Sequence, residues 1–305
     1  MKNLIPRRSF LRSATIASSG LALAPGLGIA AEALASSKGQ RPIRKGIMYA
    51  TVGIKGSVLE KFKAVKDAGF HGIEPMGGMD QEEVMQAFAE TGLKAASVCC
   101  HSHWDKPVSS PNPEVRAAGV AGLKQTLKDA KRYGASSVLF VPAVVNKQVS
   151  YADAYSRSQA EIRKVLPLAE ELGIKIAIEN VWNGFLLSPL EAARYIDEFN
   201  SPAIGWHFDV GNVINFGWPE QWIRILGKRI QKLHIKEYSR AKRDKSGPYA
   251  GFQVEYLEGD NDWPTIMKAL DEIGYTGWGI AEQPGGNSPE GLKNLSDRMT
   301  RIFAS

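Results

Sequence analysis

Four short apolar runs in the second half of this sequence each end on a side chain able to bind a metal ion. Gly205-Trp206-His207-Phe208-Asp209 ends on Asp209 and passes through Val210-Gly211-Asn212 into a turn and a helix start. Ile174–Glu179 ends on Glu179, Ile230–His234 on His234, and Trp278–Glu282 on Glu282. Three carboxylates that converge without a counter-charge repel one another and are costly to desolvate, and a divalent cation removes both problems. A carboxylate-rich set with one imidazole suits Mn²⁺, Mg²⁺ or Co²⁺, with Zn²⁺ also accommodated. An octahedral ion held by these four side chains keeps two positions open, enough for a carbonyl and a neighbouring hydroxyl of one substrate. The chemistry expected is Lewis-acid activation of a carbonyl, proton abstraction beside it, and an enediolate.

The elements that must position these groups alternate between period-2 and period-3.6 signals from Arg44 onward. Strands are expected at Ile47–Thr51, His71–Glu74, Leu93–Cys100, Ser137–Val141, Lys175–Glu179, Ile204–Asp209, Ile230–Lys236 and Gly277–Ala281. Helices are expected at Ser57–Ala68, from Asp80 to Thr91, at Pro113–Tyr133 and at Tyr151–Leu172. Four more follow, from Ser188-Pro189, at Pro219–Gly227, at Asp262–Ile273 and at Pro289–Phe303. Eight strand–helix units in one run predict an α/β fold, a single-domain (β/α)8 TIM barrel, with its active site at the carboxyl ends of the strands. The long connection Glu237–Gly259, rich in Lys, Arg, Gly and Tyr, is expected to form a lid.

Length and composition agree with one large soluble unit. The chain has 305 residues, 44% apolar and 23% charged. Of the net charge of +6, Lys2, Arg7, Arg8 and Arg12 against Glu32 account for +3, which leaves +3 for everything beyond residue 35. So small a basic excess gives no reason to expect a nucleic-acid partner. The amino terminus reads as an address: Arg7-Arg8 before Phe10-Leu11, the weakly apolar Ser13–Ala31, then Ala33-Leu34-Ala35 as a cleavage site. These features resemble a twin-arginine export signal. The expected organisation is a signal over residues 1–35, a linker over 36–43 and a barrel over 44–305. The mature protein is then periplasmic or secreted and free of the membrane. Cys99 and Cys100 are adjacent on a strand and point to opposite faces, so they are expected to be buried thiols rather than a disulfide.

Residues 44–305 resemble the xylose isomerase-like TIM-barrel superfamily of sugar isomerases and epimerases. Ile178-Glu179-Asn180, Phe208-Asp209-Val210-Gly211-Asn212, Leu233-His234-Ile235-Lys236-Glu237 and Ala281-Glu282 stand where that superfamily carries its metal ligands. The resemblance implies that Glu179, Asp209, His234 and Glu282 bind the metal. It further implies that Glu179 and Glu282 are paired acid/base groups on opposite faces of a sugar. It gives Arg240, six positions after His234, a substrate contact. The chain departs from the ketose 3-epimerase pattern at Asn212 and Phe185, where those enzymes carry a histidine and a glutamate. The first change alters proton shuttling and the second alters hydroxyl recognition.

Further candidates surround the four. Glu74 ends the second strand and is expected to face the mouth. His101 and His103 follow the third strand at i, i+2 and are candidates for substrate contact or proton relay. Trp104, Trp182 and Phe185 could stack on a sugar face, and Lys236 could touch a substrate oxygen or neutralise a carboxylate. His207 shares the inward face of Asp209, where a core histidine is expected rather than a ligand. Gly285-Gly286-Asn287 is a weak anion signal. The function read from these residues is a metal-dependent isomerase or epimerase acting on an unphosphorylated sugar, keto-sugar or cyclitol. The alternatives are a lyase or dehydratase on a keto-inositol or 3-keto-glycoside, and a non-catalytic sugar-binding subunit. A zinc nuclease of the endonuclease IV type needs a histidine-rich multinuclear site, and this chain has 5 histidines. The expected partner is a small carbohydrate, with self-association left open.

Overall fold

The computed structural model describes residues 41–305, so the expected export signal and most of the expected linker lie outside the described residues. Nine parallel strands line the core: β1 Ile43–Met48, β2 Gly72–Glu74, β3 Lys94–Ala95, β4 Val98–Cys99, β5 Ser137–Phe140, β6 Lys175–Glu179, β7 Ile204–Asp209, β8 Ile230–Ile235 and β9 Gly277–Ala281. Their hydrogen-bonded order is β3-β2-β1-β9-β8-β7-β6-β5-β4. The ring closes through Lys94–Cys99, expected as one strand and found as two short ones. Its start bonds to β2, its end bonds to β5, and the Cys99 N–H reaches the Pro75 carbonyl at 2.9 Å. The fold is thus the TIM barrel that the alternating pattern predicts.

The strands are buried on both faces because helices cover the outside and packed side chains fill the inside, which is why they read as unbroken apolar runs. All six residues of β7 are buried. Helices α1 Val58–Asp67, α2 Gln81–Thr91, α3 Pro113–Tyr133, α4 Tyr151–Arg163, α5 Leu166–Leu172 and α6 Pro189–Asp197 follow the early strands. Ser57, Asp80, Asn112, Ser150 and Ser188 cap all of these but α5 by accepting backbone N–H groups. Two expectations shift here. The helix expected over Tyr151–Leu172 is interrupted at Lys164–Val165, because Pro167 has no N–H to continue the ladder. The first strand lies earlier than Ile47–Thr51, and Tyr49–Thr51 is a 3-10 turn.

After β7 the chain forms α7 Gly211–Ile214 and α8 Pro219–Leu226; after β8, α9 Arg240–Ser246 and a 3-10 turn Pro248–Phe252; then α10 Trp263–Glu272 and α11 Pro289–Ala304. The expected lid Glu237–Gly259 is therefore an ordered arm. Buried Glu237 anchors it by accepting the Leu257 N–H, the Asn261 N–H and the Trp263 indole N–H at 2.7, 3.1 and 2.7 Å. Hydrogen bonds to a charged acceptor are worth about 1.5–3 kcal/mol each, which explains why a long loop holds one shape. Cys99 and Cys100 are free and buried, as their adjacency requires. No helix among the described residues is long and apolar enough to cross a membrane.

One irregularity in the barrel controls the site. Trp206 pairs with Ile230 but His207 with Lys232, so β8 contributes one extra residue at this point. From there on Asp209 lies level with His234, while on the other side Glu179 lies level with His207. Gly205 sits beside the shift, where an added Cβ would approach the Arg229 carbonyl to 2.9 Å and Gln231 Cγ to 2.5 Å. Gly205→Ala is expected to destabilise the fold by about 1–3 kcal/mol through overpacking, read as a lower urea midpoint; an unchanged midpoint removes Gly205 from the account.

Candidate functional site

The ends of β6, β7 and β8, with Glu282 just past β9, bring Glu179, Asp209, His234 and Glu282 together at the mouth. Ligand-capable atoms of all four lie within 4.8 Å of one another. His234 Nδ1 is 2.8 Å from Glu179 Oε1 and 3.0 Å from Glu282 Oε2. Glu179, Asp209 and His234 are buried, whereas the Glu282 side chain is 26% exposed and marks the side open to the mouth. Asp209 is held from behind. Its Oδ1 accepts the Asn212 N–H at 2.8 Å, and the Asn180 amide grips its backbone N–H and carbonyl at 3.0 and 2.7 Å.

Lys236, the next inward residue of the β8 stave, enters the same space. Its ammonium is 2.8 Å from Asp209 Oδ2 and 2.6 Å from Glu282 Oε2. These are charge contacts without hydrogen-bond alignment, so both oxygens remain buried without an aligned donor. Even with His234, Lys236 and the buried Lys232, whose ammonium feels Glu74, all charged, the carboxylates of Glu74, Glu179, Asp209 and Glu282 number four against three. Unmatched buried acceptors and an excess of negative charge are what a divalent cation would satisfy. The donor set therefore fits one.

Electrostatics divides the acids. Burial pushes the Glu179 carboxyl up to about 7 against the pull of His234, with Glu282 and Asp209 adding to the rise. Burial likewise takes Asp209 up to about 6, opposed by Lys236. Burial acts on Glu282 too, yet Lys236 and His234 together hold it well below the usual carboxylate range. His234 is raised well above the usual imidazole range despite burial, through Glu74, Glu282 and Glu179.

The remaining candidates separate. Glu74 is not open to the mouth as expected: it is fully buried beside the cluster, with Oε2 2.9 Å from His234 Nε2. His207 is also inward and buried, edge-on to His234 with ring centroids 4.2 Å apart, and neither ring nitrogen has a partner. His101 and His103 do not point the same way. His101 is exposed against the Gly77–Gly78 turn, and buried His103 accepts the Val141 N–H at 3.3 Å. Burial and the neighbouring His101 lower His103 to about 3, so it is a neutral wall.

Arg240 spends its guanidinium on the Ile214 and Gly217 carbonyls, 3.1 and 3.2 Å away, and ties the β8 arm to the β7 loop. Asn212 braces the strand ends, donating to the Asn180 carbonyl at 2.9 Å, with its Oδ1 3.5 Å from Lys236 Nζ. Trp182 packs with Tyr238, Tyr249 and Phe252, and its indole donates to the Asn212 carbonyl at 2.9 Å. Phe185 is core, against Tyr151, Tyr155 and Tyr195, and Trp104 is half exposed beside His103. The Gly285-Gly286-Asn287 stretch seats the loop after β1, with the Gly286 carbonyl accepting the Gly53 N–H at 2.9 Å.

Two contributors carry no clear sequence signal. Asn180 follows Glu179, and its bracing of Asp209 needs the neighbouring strand. Phe252, 5.2 Å from Lys236 Nζ, reaches the site by the fold of the arm.

Residues 62–302 match the xylose isomerase-like TIM-barrel family. The chain belongs to that family. It is 29% identical over 238 residues to a ketose 3-epimerase of Arthrobacter globiformis, covering 74% of this chain and 75% of that protein. It is 23% identical over 195 residues to the L-ribulose-5-phosphate 3-epimerase UlaE of Escherichia coli, covering 64% of this chain and 66% of that protein. Among solved structures, the 3-keto-D-glucoside 4-epimerase YcjR from E. coli superposes with a TM-score of 0.72 at 18% identity, over 85% of this chain and 98% of that one. An L-ribulose 3-epimerase superposes with a TM-score of 0.70 at 22% identity, over 86% and 94%.

The protonation states give a pH expectation. Ligation needs Glu179, Asp209 and His234 without their protons. The His234 proton, held well above the usual imidazole range, already competes at neutral pH. Divalent-ion affinity should fall further as pH drops through about 7 and then about 6. Each competing proton steepens the loss to about tenfold per pH unit below its pKa. Calorimetric titration with Mn²⁺ between pH 5.5 and 8.5 measures this, and an affinity flat across that range contradicts it.

Proposed function

We propose that this chain is a metal-dependent sugar epimerase or isomerase acting beside a carbonyl of an unphosphorylated sugar, keto-sugar or cyclitol. The observation that carries the reading is the gathering of Glu179, Asp209, His234 and Glu282 into one cluster at the barrel mouth. Similarity to sugar 3-epimerases supports it. Glu179, Asp209, His234 and Glu282 would hold one divalent ion, with Mn²⁺, Mg²⁺ or Co²⁺ favoured and Zn²⁺ allowed by the donor set. When bound, the ion supplies Lewis-acid stabilisation of the charge that develops on the substrate carbonyl oxygen.

The chain's own residues divide the proton work. Lys236 and His234 hold Glu282 ionised, while burial keeps Glu179 close to half-protonated at neutral pH. Two carboxyls whose environments push them apart are suited to act as base and acid. In this reading Glu282 takes the proton next to the carbonyl, and Glu179 delivers one on the opposite face of the sugar. The Lys236 ammonium, between Asp209 and Glu282, keeps the base charged and is within reach of a substrate oxygen. The Trp182–Tyr249–Phe252 cluster gives the mouth an apolar wall for C–H faces. A neutral substrate is favoured because Arg240 and Lys236 are already engaged.

A lyase reading has one specific support: Lys236 stands where it could protonate a leaving hydroxyl or glycosidic oxygen, and Asn212 replaces the histidine of the 3-epimerase pattern. Turnover of free ketoses and 3-keto-glycosides in D₂O separates the two. Epimerisation places one deuterium beside the carbonyl with every substrate atom retained, whereas a lyase releases water or an aglycone. Glu179→Gln and Glu282→Gln are each expected to lower turnover by about 10³-fold or more, on the scale of losing an acid/base group. Sugar binding without any exchange or release would identify a non-catalytic binding subunit.

We also propose that the chain is exported by the twin-arginine route and cleaved after Ala35. Its support is the order of Arg7-Arg8, the weakly apolar Ser13–Ala31 and Ala33-Leu34-Ala35. Fractionation of cells expressing the full chain should give a shortened periplasmic or secreted form, and Arg7→Lys with Arg8→Lys should retain the precursor in the cytoplasm. Export unchanged by the double substitution excludes the route.

A further inference from the structure

On the Nε2 side of His234 lies a second buried layer. Glu74, at the end of β2, is fully buried, with Oε2 2.9 Å from His234 Nε2 and Oε1 without a partner. His207 closes the layer edge-on to His234, with both its nitrogens unpartnered. Glu74, His207 and His234 also offer ligand-capable atoms within 4.8 Å of one another, so a second possible donor set shares His234 with the first.

The imidazole decides between these layers. A neutral imidazole has one lone pair and one N–H. His234 turns Nδ1 toward Glu179 and Glu282, at 2.8 and 3.0 Å, and Nε2 toward Glu74. If Nδ1 gives its lone pair to an ion in the four-residue cluster, Nε2 carries the proton and cannot ligate a second ion beside Glu74. Filling both layers at once would need an imidazolate bridging two cations. Nε2–H instead faces the fully buried Glu74 carboxylate, an acceptor with much to gain from a donor. Metal-binding histidines are commonly fixed through their second nitrogen in this way, which sets the tautomer and ring plane and raises ligand basicity.

We infer that Glu74 is a positioning residue that accepts Nε2–H of His234 and so presents the Nδ1 lone pair to a single divalent cation. His207 is the edge-on wall that keeps the ring from turning. The inference rests on the reading that Glu179, Asp209, His234 and Glu282 take such a cation, and it goes beyond that reading in assigning Glu74 to the imidazole rather than to substrate or metal.

The test combines titration with direct observation of the tautomer. Metal-free wild type, Glu74→Gln and Glu74→Leu are titrated with Mn²⁺, the free ion being followed by electron paramagnetic resonance. Wild type should bind one ion per chain. Glu74→Leu should bind about 10–100-fold more weakly, and Glu74→Gln should fall between, since its amide oxygen can still accept Nε2–H. The Co²⁺ absorption spectrum should shift in Glu74→Leu, a change that loss of packing elsewhere would not produce. In ¹⁵N-labelled wild type loaded with Zn²⁺, His234 should show its proton on Nε2, a readout that does not depend on any variant folding. Wild-type affinity and spectrum in Glu74→Leu, or a proton on Nδ1, overturn the inference while leaving the cluster reading intact. Two ions per wild-type chain that fall to one in Glu74→Leu overturn it by making Glu74 a ligand. No ion in wild type overturns both.

Discussion

Like charge gathered in a buried place is the constraint on which this structure depends. Glu74, Glu179, Asp209 and Glu282 converge where water is largely excluded, and carboxylates so placed must be protonated, paired or bound to a cation. The chain supplies part of the answer itself: His234 touches Glu74, Glu179 and Glu282, while Lys236 touches Asp209 and Glu282. That answer is incomplete, because Glu74 Oε1, Asp209 Oδ2 and Glu282 Oε2 remain without an aligned donor. The site is thus stable enough to fold and unsatisfied enough to attract a ligand, which is a common condition for functional sites.

The surroundings hold that tension in place. Asn180 and Asn212 cross-brace the ends of β6 and β7. Glu237 fastens the arm after β8, and the Gln283 side chain accepts the Glu237 N–H at 2.8 Å, joining β8 to β9 just below the mouth. Most of the anchoring side chains bond to backbone atoms, so they fix strand ends and loop paths rather than touching a substrate. The residues left facing the opening are then Glu282, Lys236 and the Trp182 cluster. Activity on this scaffold is set by what lies at the mouth, and the barrel beneath it sets only position.

The sequence departs from the 3-epimerase pattern that it resembles at Asn212 and Phe185, and Lys236 stands among the carboxylates of the site. A lysine among the carboxylates lowers the charge a metal must balance and biases Glu282 toward its ionised form. Asn212, by contrast, is drawn into bracing Asp209 and Asn180, a role for which an amide's paired donor and acceptor are suited.

Much of this was legible in the sequence. Apolar runs ending in Glu179, Asp209, His234 and Glu282, separated by capped amphipathic helices, allow few arrangements other than a parallel barrel with those groups at one end, because parallel strands must be covered on both faces and connected by helices. Side-chain depth and direction were not legible. Glu74 was expected open to the mouth and is buried against Nε2 of His234. His101 and His103 were expected together and diverge. Arg240 was expected on substrate and holds two carbonyls. Each of these depends on which neighbour crosses the ring, and local periodicity carries no such information. The level of Asp209 with His234 was equally hidden. It depends on the extra residue that β8 contributes opposite Trp206 and His207, a shift that exists only when two strands are paired. The sequence by itself determined which residue types would meet, and the tertiary structure alone decided their register, their partners and which nitrogen of the imidazole faced which carboxylate.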